Sequence, residues 1–302
     1  MSGGPAPACA VWGIVNVTAD SFSDGGAYLD PRAAIAQGRR LLAEGAAVID
    51  VGGESSRPKG QTYGAGAQRV SPDEETRRVV PVVEALAAAG ATVSIDTVKP
   101  EVAEAALRAG ARVVNDVSGG QDRALFEVAA AHGADYVLMH TRGRGEVTPP
   151  NTRYASLLDE VLDELRAGVE RALEAGLERE RVWLDPGLGF AKTAAQSGAL
   201  LACTAAFVDT GHKVIVGASR KSFIAELAAR EPGRSGVPAA EAVAATGRAE
   251  APPDRREGGS IAAAVIAAMA GAHAVRAHEV AATVQAVRLT GAVAGLARRG
   301  VR

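Results

Sequence analysis

Short apolar runs alternate with longer amphipathic segments over most of the chain. A run of aliphatic residues favours a buried strand, whereas apolar residues spaced three and four apart favour a helix that packs on a sheet. The predicted strands are Ala10–Val15, Ala47–Val51, Thr92–Ile95, Arg112–Val114, Tyr136–Met139, Val182–Leu184, Lys213–Val216 and Ala274–Arg276. The predicted helices are Pro31–Glu44, Glu74–Ala88, Glu101–Arg108, Arg123–Ala131, Leu157–Ala175 and Val280–Ala297.

The order of these elements predicts an α/β protein with a parallel sheet, because helical segments separate the strands. Eight such units would close a (β/α)8 TIM barrel, in one domain over residues 10–302 after a tail at residues 1–9. An open, doubly wound sheet is the structural alternative. Glycines suited to end a helix follow five of the predicted helices, at Gly45, Gly90, Gly110, Gly133 and Gly176.

Two segments interrupt the regular pattern. Residues 58–71 contain several glycines, and residues 231–259 are rich in Pro, Gly, Glu and Arg. Both are predicted to be exposed loops. The composition of the second loop favours disorder over a functional lid, and we assign no chemistry to it.

The charge and cysteine content narrow the possible partners. The chain has 33 Lys and Arg against 35 Asp and Glu, so no excess of positive charge favours nucleic acid. Its first residues lack the basic segment of a signal peptide, and the longest apolar run, Ile261–Ala272, is too short to span a bilayer. We therefore expect a cytoplasmic protein without membrane contact. Cys9 and Cys203 lie far apart and are expected to be reduced thiols.

Polar residues follow nearly every predicted strand. Barrel enzymes place their active sites at the C-terminal ends of the strands. The residues at these ends are Asn16, Asp50, Asp96, Asn115 with Asp116, His140, Asp185, Ser219 to Lys221, and Arg276 with His278. A single such residue is more often a helix cap or turn residue, and Asp50, Asp116 and His140 fit that simpler interpretation. The cations at the last two ends, facing carboxylates from other strands, favour one polar pocket.

Four loops add detail to this pocket. Asn16–Gly26 is too rich in hydrogen-bonding side chains for a simple connection and is predicted to be a mobile active-site loop. Gly52–Pro58 combines glycines, hydroxyls and an arginine that suit phosphate oxygens. Asp185–Lys192 places an acid before a glycine-rich turn with an aromatic residue. Gly217–Ser222 opens a helix whose free N–H groups would attract an anion.

Eight collinear blocks resemble the dihydropteroate synthases, over about Val11 to Leu289. These blocks are Asn16–Gly26, Gly52–Pro58, Ser94–Thr97, Val114–Val117, Leu138–His140, Asp185–Lys192, Ser219–Lys221 and Val275–His278. The resemblance implies an enzyme of folate biosynthesis that condenses 6-hydroxymethyl-7,8-dihydropterin pyrophosphate with p-aminobenzoate. It also implies Mg²⁺ as cofactor, sulfonamides as inhibitors, and a homodimer formed through the last helices.

The resemblance also assigns residues to each part of the reaction. The pterin would be bound by Asp96, Asn115, Met139, Asp185, Gly217, Lys221 and Arg276. The pyrophosphate would be bound by Asn16, Ser56, Arg57, Arg276 and His278, with Asn16 also binding Mg²⁺. The p-aminobenzoate would be bound by Pro58, Gly189, Phe190, Lys221 and Ser222. The catalytic residues would be Asp20, Asp24, Lys221, Arg276 and His278.

The sequence departs from the family pattern at four places, which are Ala19, Thr141, Gln196 with Ser197, and the segment Ala277–Glu279. Two other functions remain open at this point. A pterin-dependent methyltransferase shares the barrel and its acids, but it would not need Arg57 or the Ser219–Ser222 segment, which suit pyrophosphate and an aryl carboxylate. A non-catalytic paralogue would bind pterin without turnover.

Overall fold

The computed structural model describes residues 9–18, 31–54, 70–143, 145–229 and 255–299. Its strands are β1 (Ala10–Asn16), β2 (Val48–Gly52), β3 (Val93–Asp96), β4 (Val113–Asp116), β5 (Asp135–Met139), β6 (Val182–Asp185), β7 (Lys213–Gly217) and β8 (Ala274–Ala277). They pair in parallel in chain order, and β8 pairs with β1. The predicted (β/α)8 barrel is confirmed, and the open sheet is wrong. The division into one domain with a tail stays a prediction.

Helices surround this barrel. They are α1 (Pro31–Ala43), α2 (Pro72–Ala88), α3 (Pro100–Arg108), α4 (Arg123–Ala131), α5 (Leu157–Glu174), α6 (Ala194–Ala202), α7 (Thr204–Val208), α8 (Ser222–Ala228), α9 (Glu257–Met269) and α10 (Val280–Arg299). Every predicted helix is present, with ends within two residues of those predicted. The sequence analysis missed α6 and α7, since α6 is apolar almost throughout and α7 is too short for a period to be visible.

The predicted loop at residues 231–259 is wrong at its C-terminal end. Arg256 is buried, and α9 already begins at Glu257. The two glycines that suggested a loop there, Gly258 and Gly259, belong to the first turn of that helix. Residues 231–254 lie outside the described residues, as do residues 58–69 of the other predicted loop.

The five predicted helix-ending glycines have left-handed backbone conformations, with φ between +59° and +110°. At Gly45, for example, φ is +102° and the backbone N–H donates to Leu42 O at 3.0 Å. Side chains disfavour this conformation, so glycine is the residue that turns each helix back toward its next strand. These predictions are confirmed.

The inside of the barrel changes from apolar to polar along the strand direction. Since strand residues alternate between two faces, every second residue points inward. Near the N-terminal ends, the inward positions form a cluster of Trp12, Val48, Val113, Val137, Ile215 and Ala274. Further along the same strands, the inward positions carry Asp50, Asn115, Met139 and Arg276. The apolar layer therefore forms a floor under a polar chamber.

The second core lies between the strands and the helices. Outward residues such as Val15, Ile49 and Ile95 are completely or almost completely buried there. This packing fixes the strand ends from outside, so the polar chamber is held by a rigid wall. None of the helices in the described part of the chain combines the length and the apolar character that crossing a bilayer requires.

Candidate active site

Arg276 is the centre of the polar chamber. Its Nη2 atom donates to Asp50 Oδ2 from β2 and to Asp96 Oδ2 from β3, the latter at 2.8 Å. Asn115 on β4 donates from Nδ2 to the same Asp50 oxygen at 3.1 Å. Side chains from β2, β3, β4 and β8 thus form one hydrogen-bonded cluster. The ion pairs in this cluster offset the free-energy cost of burying the guanidinium group.

Strand register explains why these side chains meet. Asp96 pairs with Asn115 across β3 and β4, and Gly217 pairs with Arg276 across β7 and β8. A Cβ atom on Gly217 would lie 3.6 Å from Asp185 Oδ2, 3.8 Å from Lys221 Nζ and 3.9 Å from Arg276 Cδ. These are ordinary van der Waals distances, and they show that three charged groups converge beside Gly217.

Asp185 and Lys221 form the other side of the chamber. Asp185 Oδ1 accepts from the backbone N–H of Gly187 at 2.7 Å, which fixes the orientation of the carboxyl group. Lys221 Nζ donates to Leu188 O at 2.6 Å and lies 4.8 Å from the centroid of the Phe190 ring. The turn after β6 therefore touches both the acid and the lysine.

Burial shifts the pKa values of these groups. Burial, opposed by Arg276 and reinforced by Asp50, raises the pKa of Asp96 to about 7. Burial also raises the pKa of Asp185, against the effect of Lys221, and lowers the pKa of Lys221 to about 8. Although burial works against it, Asp50 and Asp96 keep the pKa of Arg276 above its ordinary value.

The ends of β7 and β8 are joined at the rim of the barrel. Ser219 Oγ lies 2.9 Å from His278 Nδ1, and the His278 backbone N–H donates to the same hydroxyl at 3.2 Å. Arg220 has φ of +60° and donates from Nε to Glu279 Oε1 at 2.6 Å. Arg256 donates to the Arg220 carbonyl at 2.9 Å, which helps to hold this unfavourable backbone conformation.

The structure brings most of the described predicted residues to one place. The chamber and its rim contain Asp96, Asn115, Met139, Asp185, Gly217, Lys221 and Arg276, with Gly189, Phe190 and Ser222 beside Lys221. Asn16 ends β1 and is exposed at the mouth, and His278 lies on the rim after β8. The remaining predicted residues, Asp20, Asp24, Ser56, Arg57 and Pro58, lie outside the described residues.

Asp50 is a site residue that the sequence analysis missed. It is completely buried and pairs with Arg276, so the interpretation as a cap is wrong. The sequence did contain a signal for this role. Asp50 lies two residues after the inward-facing Val48, so strand alternation places its side chain inside the barrel as well. The simpler interpretation is confirmed for Asp116, whose carboxylate accepts from the backbone N–H groups of Ser118 and Gly120.

His140 is also neither a cap nor a turn residue. It is buried, with Nδ1 at 2.8 Å from Lys192 Nζ and Nε2 at 3.0 Å from Glu164 Oε2. Ser197, one of the departures from the family pattern, accepts from the Gly189 N–H at 3.0 Å and donates to Thr193 O at 2.9 Å. A serine is therefore sufficient to hold the loop after β6 at this point.

The chain is similar to known proteins in both sequence and fold. The family model described as "Pterin binding enzyme" matches residues 12–278. The chain is 46% identical to the dihydropteroate synthase of Mycobacterium leprae, over 93% of this chain and 92% of the relative. The Xanthomonas albilineans dihydropteroate synthase in complex with 7,8-dihydropteroate is 37% identical, with a TM-score of 0.77 over 95% of this chain and 94% of that one. The Yersinia pestis enzyme in complex with a sulfonamide drug is also 37% identical, with a TM-score of 0.81 and 95% of each chain covered.

Substitution of Asp50 tests the charge coupling in the chamber. Asp50→Asn removes a negative charge beside Asp96, so we expect the pKa of Asp96 to fall below about 7. Carboxyl ¹³C shifts of labelled aspartate, followed against pH, give this value directly. Asp135→Asn, at the opposite end of the barrel, is the control and should leave it unchanged. A pKa of Asp96 that stays or rises in Asp50→Asn would contradict the coupling.

Proposed function

The chain belongs to the dihydropteroate synthase family of pterin-binding enzymes, and we propose that the polar chamber holds the pterin while the turn after β6 holds the second substrate. The reaction joins 6-hydroxymethyl-7,8-dihydropterin pyrophosphate to p-aminobenzoate and releases pyrophosphate. The observation that carries this assignment is the convergence of Asp96, Asn115 and Asp185 around Arg276 and Lys221 at the mouth of the barrel.

The chamber matches the hydrogen-bonding edge of a pterin. The 2-amino and ring N–H groups are donors that a buried carboxylate accepts, and Asp185 is already oriented by the Gly187 N–H. Asn115 and Lys221 supply donors for the ring nitrogen and oxygen acceptors. In this structure Asp50 Oδ1 and Arg276 Nε are buried polar atoms without a hydrogen-bond partner. One acceptor and one donor in the chamber are therefore available to a ligand.

The charges of the chamber favour the transition state. When Asp50, Asp96 and Asp185 are all ionised, their charges exceed those of the two cations, Arg276 and Lys221, by one negative charge. Because the pKa of Asp96 is about 7, this excess grows as the pH rises through neutrality. Positive charge develops on the pterin methylene as the carbon–oxygen bond to pyrophosphate breaks, and the excess stabilises it. The new bond forms between this carbon and the nitrogen of p-aminobenzoate, and the nitrogen then releases a proton to water. Because that aryl amine is unprotonated at neutral pH, the step requires no dedicated base.

The leaving pyrophosphate would be held at the rim. Arg276 reaches it from the chamber, while His278, positioned by Ser219, and Asn16 approach from the ends of β8 and β1. Asp20, Asp24, Ser56 and Arg57 are proposed to complete this part of the site. These assignments rest on the resemblance and on the position of the described residues at one mouth.

The donor set at the rim fits Mg²⁺. Asn16 offers an amide oxygen, exposed at the end of β1, and within the described ranges there is no cluster of His, Cys, Asp or Glu that would bind a metal by itself. Mg²⁺ commonly uses few protein oxygens together with phosphate oxygens and water. Asn16 would therefore hold the ion together with the substrate, and the ion would supply charge neutralisation to the leaving group.

The acceptor is proposed to lie against the turn after β6 and the start of α8. The Phe190 ring faces Lys221, and Ser222 is the first residue of α8 and is buried. A stacked aromatic ring with a cation beside it suits an aryl carboxylate. Gly189 and Pro58 would complete this surface. A sulfonamide offers the same ring with sulfonyl oxygens in place of the carboxylate, and the similar Yersinia pestis enzyme forms a complex with a sulfonamide drug.

We also propose a homodimer, supported by an exposed apolar surface. Ile266 and Met269 on α9, with Leu289, Val293 and Leu296 on α10, have 44 to 74% of their surface exposed. The spacings of three and four residues place the members of each helix on one face, and the two helices pack together. Large apolar surfaces of this kind mark protein interfaces. The cytoplasmic location stays a prediction.

The direct test incubates the purified protein with the dihydropterin pyrophosphate, Mg²⁺ and p-aminobenzoate. We expect dihydropteroate and one equivalent of pyrophosphate. In Asp185→Asn, an amide donor faces the N–H groups of the pterin, so pterin affinity should fall about ten- to a hundredfold by calorimetry. Asp135→Asn is the matched control and should retain wild-type affinity. Wild-type pterin affinity in Asp185→Asn would contradict the assignment of this carboxylate.

Asn16→Ala separates the metal site from the pterin site. We expect weaker binding of the dihydropterin pyrophosphate in the presence of Mg²⁺, because one ligand of the ion is lost. The pterin alcohol, which lacks pyrophosphate, should bind nearly as it does to the wild-type protein and serves as the internal control. Equal losses for both ligands would show that Asn16 has a structural role only.

A double substitution tests the dimer. Leu289→Glu with Val293→Glu places two charges in the exposed apolar surface and should convert a dimer into a monomer of about half its mass. Sedimentation velocity measures this change. Ala88→Glu, on the exposed end of α2, is the control and should leave the mass unchanged. A wild-type protein that sediments as a monomer at micromolar concentration would refute the proposal.

A further inference from the structure

The loop after β6 adopts an unusual backbone conformation. Gly187, Ala191 and Gly189 all have positive φ, at +67°, +49° and +81°, and Ala191 does so despite its side chain. A Cβ atom on Gly187 would lie 1.9 Å from His140 O, so this loop presses directly on the end of β5. Such a conformation persists only where the surroundings fix it.

Lys192 supplies much of that fixation. It is 2% exposed, and its Nζ atom turns back beneath its own loop. Nζ lies 3.1 Å from Gly187 O, 3.0 Å from Phe190 O, 3.3 Å from His140 O and 2.8 Å from His140 Nδ1. Burial, opposed by Asp185, lowers the pKa of Lys192 to about 7. In its protonated form the group has donors only, and each of these neighbours can accept from it. The arrangement resembles a cation held in a ring of carbonyl groups.

The network behind this ammonium fixes the state of His140. Burial, opposed by Glu164 and reinforced by Lys192, lowers the pKa of His140 to about 4, so the imidazole is neutral at neutral pH. Since Lys192 donates to Nδ1, the ring proton resides on Nε2 and is donated to Glu164 at 3.0 Å. Arg142 pairs with Glu164 and stacks 3.9 Å over the Tyr154 ring. Tyr154 donates to Ala191 O, the next carbonyl of the loop.

Lys192 and Lys221 therefore hold one loop from opposite sides. Lys221 binds Leu188 O from the chamber, and Lys192 binds the carbonyls of Gly187 and Phe190 from behind. We propose that Lys192 is a positioning residue that fixes Gly189 and Phe190 in the conformation that receives p-aminobenzoate. This inference rests on the acceptor site proposed above. The contacts of Lys192 Nζ are with the loop carbonyls and His140, so its proposed effect on the acceptor is exerted through the loop.

Substitution of Lys192 by methionine removes the ammonium but keeps the length of the side chain. Three carbonyls and an imidazole nitrogen then lose a charged donor, and we expect the KM for p-aminobenzoate to rise about tenfold or more. We expect kcat to change less than about threefold, since the reacting groups remain. Pterin affinity should fall less than p-aminobenzoate affinity, because Asp96 and Asn115 lie on β3 and β4, which Lys192 does not contact, and Asp185 remains held by β6.

Two further variants keep the test decisive. Lys213→Met makes the same substitution at a lysine on the opposite end of the barrel and should leave both constants unchanged. Tyr154→Phe removes the neutral donor to Ala191 O, and we expect a smaller rise of about two- to threefold in the same KM. If Lys192→Met does not fold, the KM for p-aminobenzoate in Tyr154→Phe decides whether the contacts behind the loop control acceptor binding. An unchanged KM in every folded variant, or equal losses of pterin and p-aminobenzoate binding, would overturn the inference.

A spectroscopic measurement is independent of turnover. In the wild-type protein, imidazole ¹⁵N shifts should show His140 with its proton on Nε2 and a hydrogen-bonded Nδ1, and Lys192→Met should alter the Nδ1 shift. A wild-type His140 with its proton on Nδ1 would contradict the hydrogen bond from Lys192. A wild-type protein that forms no dihydropteroate would instead overturn the proposed function, so the two failures are distinguishable.

Discussion

The pairing of Arg276 with Asp50 and Asp96 is the interaction on which the mouth of the barrel depends. A buried guanidinium cannot lose its proton, so its charge must be compensated by neighbours. Both carboxylates meet one Nη atom, and Asn115 adds a hydrogen bond to Asp50. Removal of either acid would leave a buried charge partly unpaired. Three strands and β8 are thereby fixed relative to one another before any ligand binds.

The apolar layer beneath this cluster explains its strength. Trp12, Val137 and Ile215 fill the barrel below the charges and exclude water from that side. Electrostatic interactions are stronger in such a medium than in water, and groups that are oriented in advance do not need to reorganise during the reaction. The same burial raises the pKa values of Asp96 and Asp185. Desolvation thus supplies both the rigidity and the altered acid strength of the site.

Much of the fold could be predicted from the sequence because its signals are local. The helix-ending glycines and the apolar runs each depend on a few neighbouring residues, and polar strand ends in a barrel must share one mouth. Asp50 was not recognised because its role appears only when Arg276, far along the chain, reaches it across the barrel. Lys192 was included in a family motif without a role, since a lysine in a loop sequence is usually exposed. Its burial follows from the backbone that turns around it.

The two proposed substrate sites share the turn after β6. Gly187 orients Asp185 in the chamber, while Gly189 and Phe190, two and three residues later, face Lys221. A displacement of this turn would therefore move the proposed acceptor surface and, to a smaller extent, Asp185, which β6 holds. If Lys192 holds the turn from behind as proposed, Lys221 would be able to exchange its bond to Leu188 O for a substrate acceptor without loss of the loop conformation. The burial of Lys192, which is costly by itself, would in that case leave Lys221 available for the proposed binding of substrate.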